Sequence, residues 1–195
     1  MRSIDILKAI KQRRSTFAFK ETTVDEEVLK DIFTYGSYAP THYMKEPWNI
    51  QLYQGNGKQT LVDAIIASYQ RIGMIRKDND QKTIKLINSM SEFLLEIPHH
   101  ALIYFEKEET AVRYEEDYAA VCAFIQNAQL SAWKFGVGML WTITPYMHDP
   151  GFAADIGLDS DEVKIAAVMQ IGYPKSIGRD KGRTPIEDKL KIIKE

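Results

Sequence analysis

The sequence predicts an α+β fold in which a small sheet lies between helical layers. Two observations carry this prediction: helical segments outnumber strands, and long helical segments separate the short apolar runs that read as strands. A chain of 195 residues, 45% hydrophobic and 27% charged, has ordinary globular composition and corresponds to one domain, expected over residues 1–195.

Each element has its own signal. Residues 3–13 read as an opening helix, with Ser3 as cap, Asp5 in the first turn and Ile4, Leu7 and Ile10 as one stripe. Thr23-Val24-Asp25-Glu26 is a capping-box pattern, placing a second helix striped by Val28, Leu29, Ile32 and Phe33 that ends near Gly36. Residues 39–47, with two prolines, form a loop. Residues 50–53 form a strand closed by Gly55-Asn56-Gly57. Two helices are expected over 58–75 and 80–96, the second stopped by Pro98. Strands follow at 101–105 and 139–143, flanking the strongest helix, 115–135, which is apolar nearly all round and so should be buried in the core or against a partner chain. A short helix over 148–156, a long strand over 163–173 and a final helix over 185–194, opened by Pro185, complete the reading.

Composition excludes several classes. Twenty-five Lys+Arg against 27 Asp+Glu leave a net charge of −2, with no basic excess to mark nucleic acid as a partner. No run approaches the ~18–20 apolar residues that a membrane helix needs. The N-terminus mixes acids and bases and has no signal-peptide core. The single cysteine, Cys122, fits a reducing compartment, and a cytoplasmic protein is expected. There is no phosphate loop, H-E-x-x-H or C-x-x-C pair, and no metal site is expected. His99 and His100 enter a strand on opposite faces, so they read as edge histidines rather than as shared ligands.

Arg13-Arg14-Ser15 offers forked donors and a hydroxyl to a dianionic phosphate, although basic residues in a last helical turn also simply offset the helix dipole. A second basic cluster, Arg179, Lys181 and Arg183, stands far along the chain and would have to converge with the first. The segment 39–48 holds a hydroxyl, an imidazole, two aromatics and two prolines. Trp48 should pack, while Thr41 and His42 face a ligand.

Arg13-Arg14-Ser15 with Phe17 and Phe19 resembles the opening motif of the nitroreductase family of FMN flavoproteins. Ala39-Pro40-Thr41 with Pro47-Trp48, the helix with Asn127, the turn Gly136 to Trp141, and Ile171-Gly172-Tyr173-Pro174 with Arg183 match its other landmarks in order. The resemblance implies a small central mixed sheet flanked by helices in an intertwined homodimer. It implies that Arg13, Ser15 and Arg183 hold the FMN phosphate and ribityl chain, with Arg14 as a cation near the flavin ring. Leu140, Trp141 and Thr142 would line the ring largely through backbone groups, and Tyr38 to His42 would come from the other subunit.

No catalytic side chain is required by that resemblance, since FMN accepts hydride from NADH or NADPH and passes electrons to a small-molecule acceptor in ping-pong fashion. Nitroaromatics, quinones or a similar conjugated acceptor are implied. Phe17, Met44 and Glu46 depart from the family pattern, and they bear on substrate preference. Alternatives are a reductive dehalogenase or flavin-modifying relative, for which residues 58–96 would have to supply a lid, and a non-enzymatic flavin-binding protein. Cys122 reads as an inert core residue.

Overall fold

A computed structural model describes residues 6–78 and 80–194. Its elements run α1 (Ile6–Gln12), α2 (Glu26–Gly36), β1 (Asn49–Gln54), α3 (Gly57–Arg71), α4 (Gln81–Glu96), β2 (His99–Glu106), α5 (Ala111–Lys134), β3 (Gly138–Thr142), α6 (Pro150–Asp155) and β4 (Val163–Gly172). The four strands form one sheet in the order β1-β2-β4-β3, and every neighbouring pair is antiparallel. The mixed character expected of the sheet is confined to a single parallel bridge, Ser15 to Met139.

Helical layers cover both faces of the sheet. On one face α2 and α5 close a core in which Leu29, Ile32, Val121, Phe124 and Ile125 meet Ile103, Phe105, Met139 and Met169. On the other, Leu61, Ala64 and Ile65 of α3 pack with Phe152 of α6 against Leu102 and Val168. Helix α4 lies outside α3, joined to it through Val62, Ile66 and Ile75. Residues 58–96 are thus a structural layer of the domain rather than a lid.

Three expectations need correction. Helix α2 starts at Asp25, whose carboxylate accepts from Glu27 N at 2.8 Å, and not at Thr23. Val24 explains the shift: its side chain is buried and its N–H donates to His99 Nε2 at 2.8 Å, which holds the preceding residues out of the helix. His99 and His100 are each 1% exposed on the central strand β2, not at an edge. They do face opposite ways, since His100 Nε2 pairs with Leu94 O at 2.9 Å on the α4 side; burial lowers the His100 pKa to about 4.

The final helix shrinks to a 3-10 turn, Ile186–Asp188, and Leu190, Ile192 and Ile193 stand exposed, unburied by any of the described residues. An unsupported helix this short is marginal in water. The apolar stripe of α1 is also exposed at Leu7 and Ile10, and only Ala9 is buried. Ser3, Ile4 and Asp5 lie outside the described residues.

Candidate functional site

Backbone pairing, more than side-chain pattern, builds the site. After α1 the chain runs extended along β3 and then along the exit of β4. Ser15 bridges Met139, Thr16 N donates to Met139 O at 3.1 Å, and Phe19 bridges Pro174. Lys20 N donates to Tyr173 O at 2.7 Å, and Lys175 N to Ala18 O at 2.9 Å. A Cβ at Gly138 would collide with the Thr16 side chain, so glycine is what permits this close approach.

This zipper draws the two basic clusters together. Arg13, Arg14, Ser15 and Phe17 share one cleft of about 230 Å³ with Arg179, Lys181 and Arg183. Four of the expected site residues therefore meet. Arg13 Nη1 donates to Gln129 Oε1 of α5 at 3.2 Å, while its Nε is buried with no partner among the described residues. The Arg13 pKa is lowered by burial first, then by the charges of Arg183 and Arg14. Arg14 turns back on its own helix, donating to Lys11 O at 2.7 Å and Arg13 O at 2.8 Å, and it pairs with Asp180 at 3.0 Å. Gly182 N–H and the Arg14 charge hold the Asp180 carboxyl below its usual range. Beside this cleft, β3 carries half-buried Leu140, Trp141 and Thr142; Thr142 Oγ1 donates to Val168 O at 2.6 Å.

The remaining expected residues lie elsewhere. Tyr38 is 80% exposed after α2. Thr41 Oγ1 accepts from Glu46 N at 3.0 Å, and His42 Nδ1 lies 2.8 Å from Glu116 Oε2 while its ring stacks on Tyr43. Tyr43, Met44 and Glu46 all take left-handed backbone conformations, with φ of 50°, 55° and 50°, which cost non-glycine residues energy. Lys45 offsets this strain by pairing with Glu108 and Asp117. Burial opposes the Lys45 charge, but those carboxylates hold its pKa above the ordinary lysine value. Trp48 packs as expected, stacked on Phe124 at 5.1 Å.

Helix α5 measures the separation of the two parts. Gln129 marks the Arg13 end and Glu116 the His42 end, about 20 Å apart along the axis at helical rise. Within one chain, Tyr38, Thr41 and His42 are not among the residues that line the arginine cleft. Sequence reasoning missed Gln129, Lys45 and Asp180. Only Gln129 had a detectable signal, as a polar residue on a buried helix face. Cys122 is half-buried, and burial raises its thiol pKa.

The structure is thus an α+β fold with helices on both faces of the sheet and a cationic cleft where residues 13–17 meet residues 178–183. The model of the nitroreductase family matches residues 10–173. YfhC of Bacillus subtilis strain 168, named as an NAD(P)H nitroreductase, is 32% identical over 182 residues, covering 93% of this chain and 90% of that protein. The crystal structure of a nitroreductase-like family protein from Bacillus cereus superposes with a TM-score of 0.89 at 33% identity, over 100% of this chain and 99% of that one. The FMN-dependent nitroreductase NfnB from Mycobacterium smegmatis, solved with NADPH, shares the fold at a TM-score of 0.70 and 16% identity, over 96% and 97% of the two chains. The chain belongs to the nitroreductase family, and so to a class of FMN-dependent oxidoreductases.

Proposed function

We propose that the protein is a homodimeric FMN-dependent oxidoreductase that takes hydride from NADH or NADPH and reduces nitroaromatics, quinones or a similar small conjugated acceptor by a ping-pong mechanism, with residues 1–195 acting as one domain in the cytoplasm. The observation that carries this reading is the arginine cleft. Arg13 stands in it half-buried, with an unpartnered Nε and two like charges nearby. A dianionic phosphate relieves all three costs at once, so the donor set fits the FMN phosphate.

In this reading Arg13, Ser15 and Arg183 hold the phosphate and ribityl chain, and Leu140, Trp141 and Thr142 line the ring. Arg14, bonded to Lys11 O, Arg13 O and Asp180, orients the segment after residue 175 over the cleft; it supplies the cation nearest the ring only if it leaves Asp180. Bound FMN supplies the redox chemistry, and the chain supplies binding, orientation and electrostatics. Tyr38, Thr41 and His42 of a second copy complete each site, which accounts for their absence from the cleft lining within one chain. The exposed Ile10, Ile186 and Ile193 suit such a pairing.

Purification tests this directly. A yellow protein that releases FMN on denaturation, and whose flavin band bleaches when NADH or NADPH is added without oxygen, is expected. A colourless chain that cannot be reconstituted with FMN would overturn the reading. Flavin that binds but never bleaches would instead favour a flavin-binding protein without turnover.

A further inference from the structure

A second cationic cleft lies at the opposite end of β4, roughly 20 Å from the first at the rise of a strand, and the flavin reading gives it no role. It has a volume of about 380 Å³ and is lined by Lys107, His148 and Lys164 together with Tyr114, Met147 and Ile165. Lys107 follows β2, Lys164 begins β4, and His148 ends the 3-10 turn Pro145–His148. Three separate elements therefore bring positive or hydrogen-donating groups to one concavity.

The arrangement is costly without a ligand. Burial lowers the Lys164 pKa, and the charge of Lys107 lowers it further. Among the described residues, no carboxylate lies within 4.0 Å of either ammonium. Lys107 Nζ donates only to Ser160 O, at 2.6 Å. Lys164 Nζ lies 3.3 Å from His148 Nδ1; when the ammonium donates to Nδ1, Nε2 is the ring nitrogen left to donate to a ligand. Asp149 lines the cleft too, but its carboxylate is engaged by Arg71 at 2.8 Å and Gly151 N at 3.1 Å. Asp161 stands in the lining as an exposed residue.

We propose that this cleft binds a small phosphate monoester, with the phosphate between Lys107, Lys164 and His148 and the organic body against Tyr114, Met147 and Ile165. Two lysine point charges and an imidazole N–H suit a compact dianion better than the planar fork of a carboxylate, which arginine matches. The volume lies within the range of small-molecule sites. An anion there removes the Lys107–Lys164 repulsion, so the site stabilises the chain when filled.

Titration calorimetry with phenyl phosphate tests the assignment, performed on the full chain carrying Arg13→Ala so that the first cleft contributes less. Saturable binding is expected, weakened about ten-fold by Lys164→Gln through loss of one charge-assisted contact. Lys107→Gln should act in the same direction and serves if the first variant fails to fold. Benzoate should bind more weakly than phenyl phosphate. Absence of saturable binding, indifference to both lysine variants, or benzoate binding as tightly as phenyl phosphate would overturn the proposal.

Discussion

The two ends of α5 make a useful comparison. At its C-terminal half, Gln129 holds Arg13 in a cleft where cations crowd one another and acceptors are few. At its N-terminal half, Glu116 lies beside His42, and Asp117 pairs with Lys45, so these carboxylates already have partners. One end is built to receive an anion and the other to fix a strained loop. Charge counting over the whole chain hides this division, because a net charge of −2 averages a cationic end with an anionic one.

A complementation experiment carries the largest expected effect. Chains carrying Arg13→Ala have a defective cleft, and chains carrying Tyr38→Ala with His42→Ala have a defective loop; each alone should retain little FMN. When the two are co-expressed, heterodimers should regain flavin at one site in two, read from the absorbance of isolated heterodimer. That recovery requires the cleft of one chain to work with the loop of the other. No recovery would mean that each chain serves itself, and the separation along α5 would then have no functional meaning.

Smaller effects sharpen the cleft itself. Arg13→Ala should weaken FMN affinity about 100-fold, the loss expected for a part-buried charge-assisted contact, while the melting temperature changes little. Arg183→Ala should cost about ten-fold, since Arg183 is exposed and screened by solvent. Equal losses at the two positions would show that burial does not distinguish them. Asp180→Asn should have the smallest effect, changing FMN affinity less than about three-fold and raising it in low salt, because a carboxylate near the phosphate is removed. A large loss there would make Asp180 a ligand-positioning residue rather than a competitor for Arg14.

The balance of what the sequence reveals follows from the same chemistry. The strands were legible because apolar runs such as Ala101 to Phe105 and Val163 to Tyr173 end at charges, glycine or proline. Helix α5 was legible because its apolar residues run almost without interruption, although it begins earlier, at Thr110, which caps Arg113 N. The Arg13-Arg14-Ser15 motif could be seen, and its convergence with Arg183 could not. That convergence depends on backbone pairing of Phe19 with Pro174 and Ser15 with Met139, and main-chain hydrogen bonds leave no mark on residue type. Helix 185–194 differs for the opposite reason: its local signals are adequate, but the described residues provide no surface for Ile192 and Ile193 to cover.

The zipper of residues 15–20 against β3 and the exit of β4 has a consequence for synthesis. A nascent chain that has emerged only as far as Gly172 already contains all four strands and the side chains of both cores. It still lacks Gly178, Arg179, Lys181 and Arg183, and so one wall of the arginine cleft. Folding and ligand competence are thereby separated in time. Residues 13–17 must wait for residues 178–183 before the cleft has both its walls.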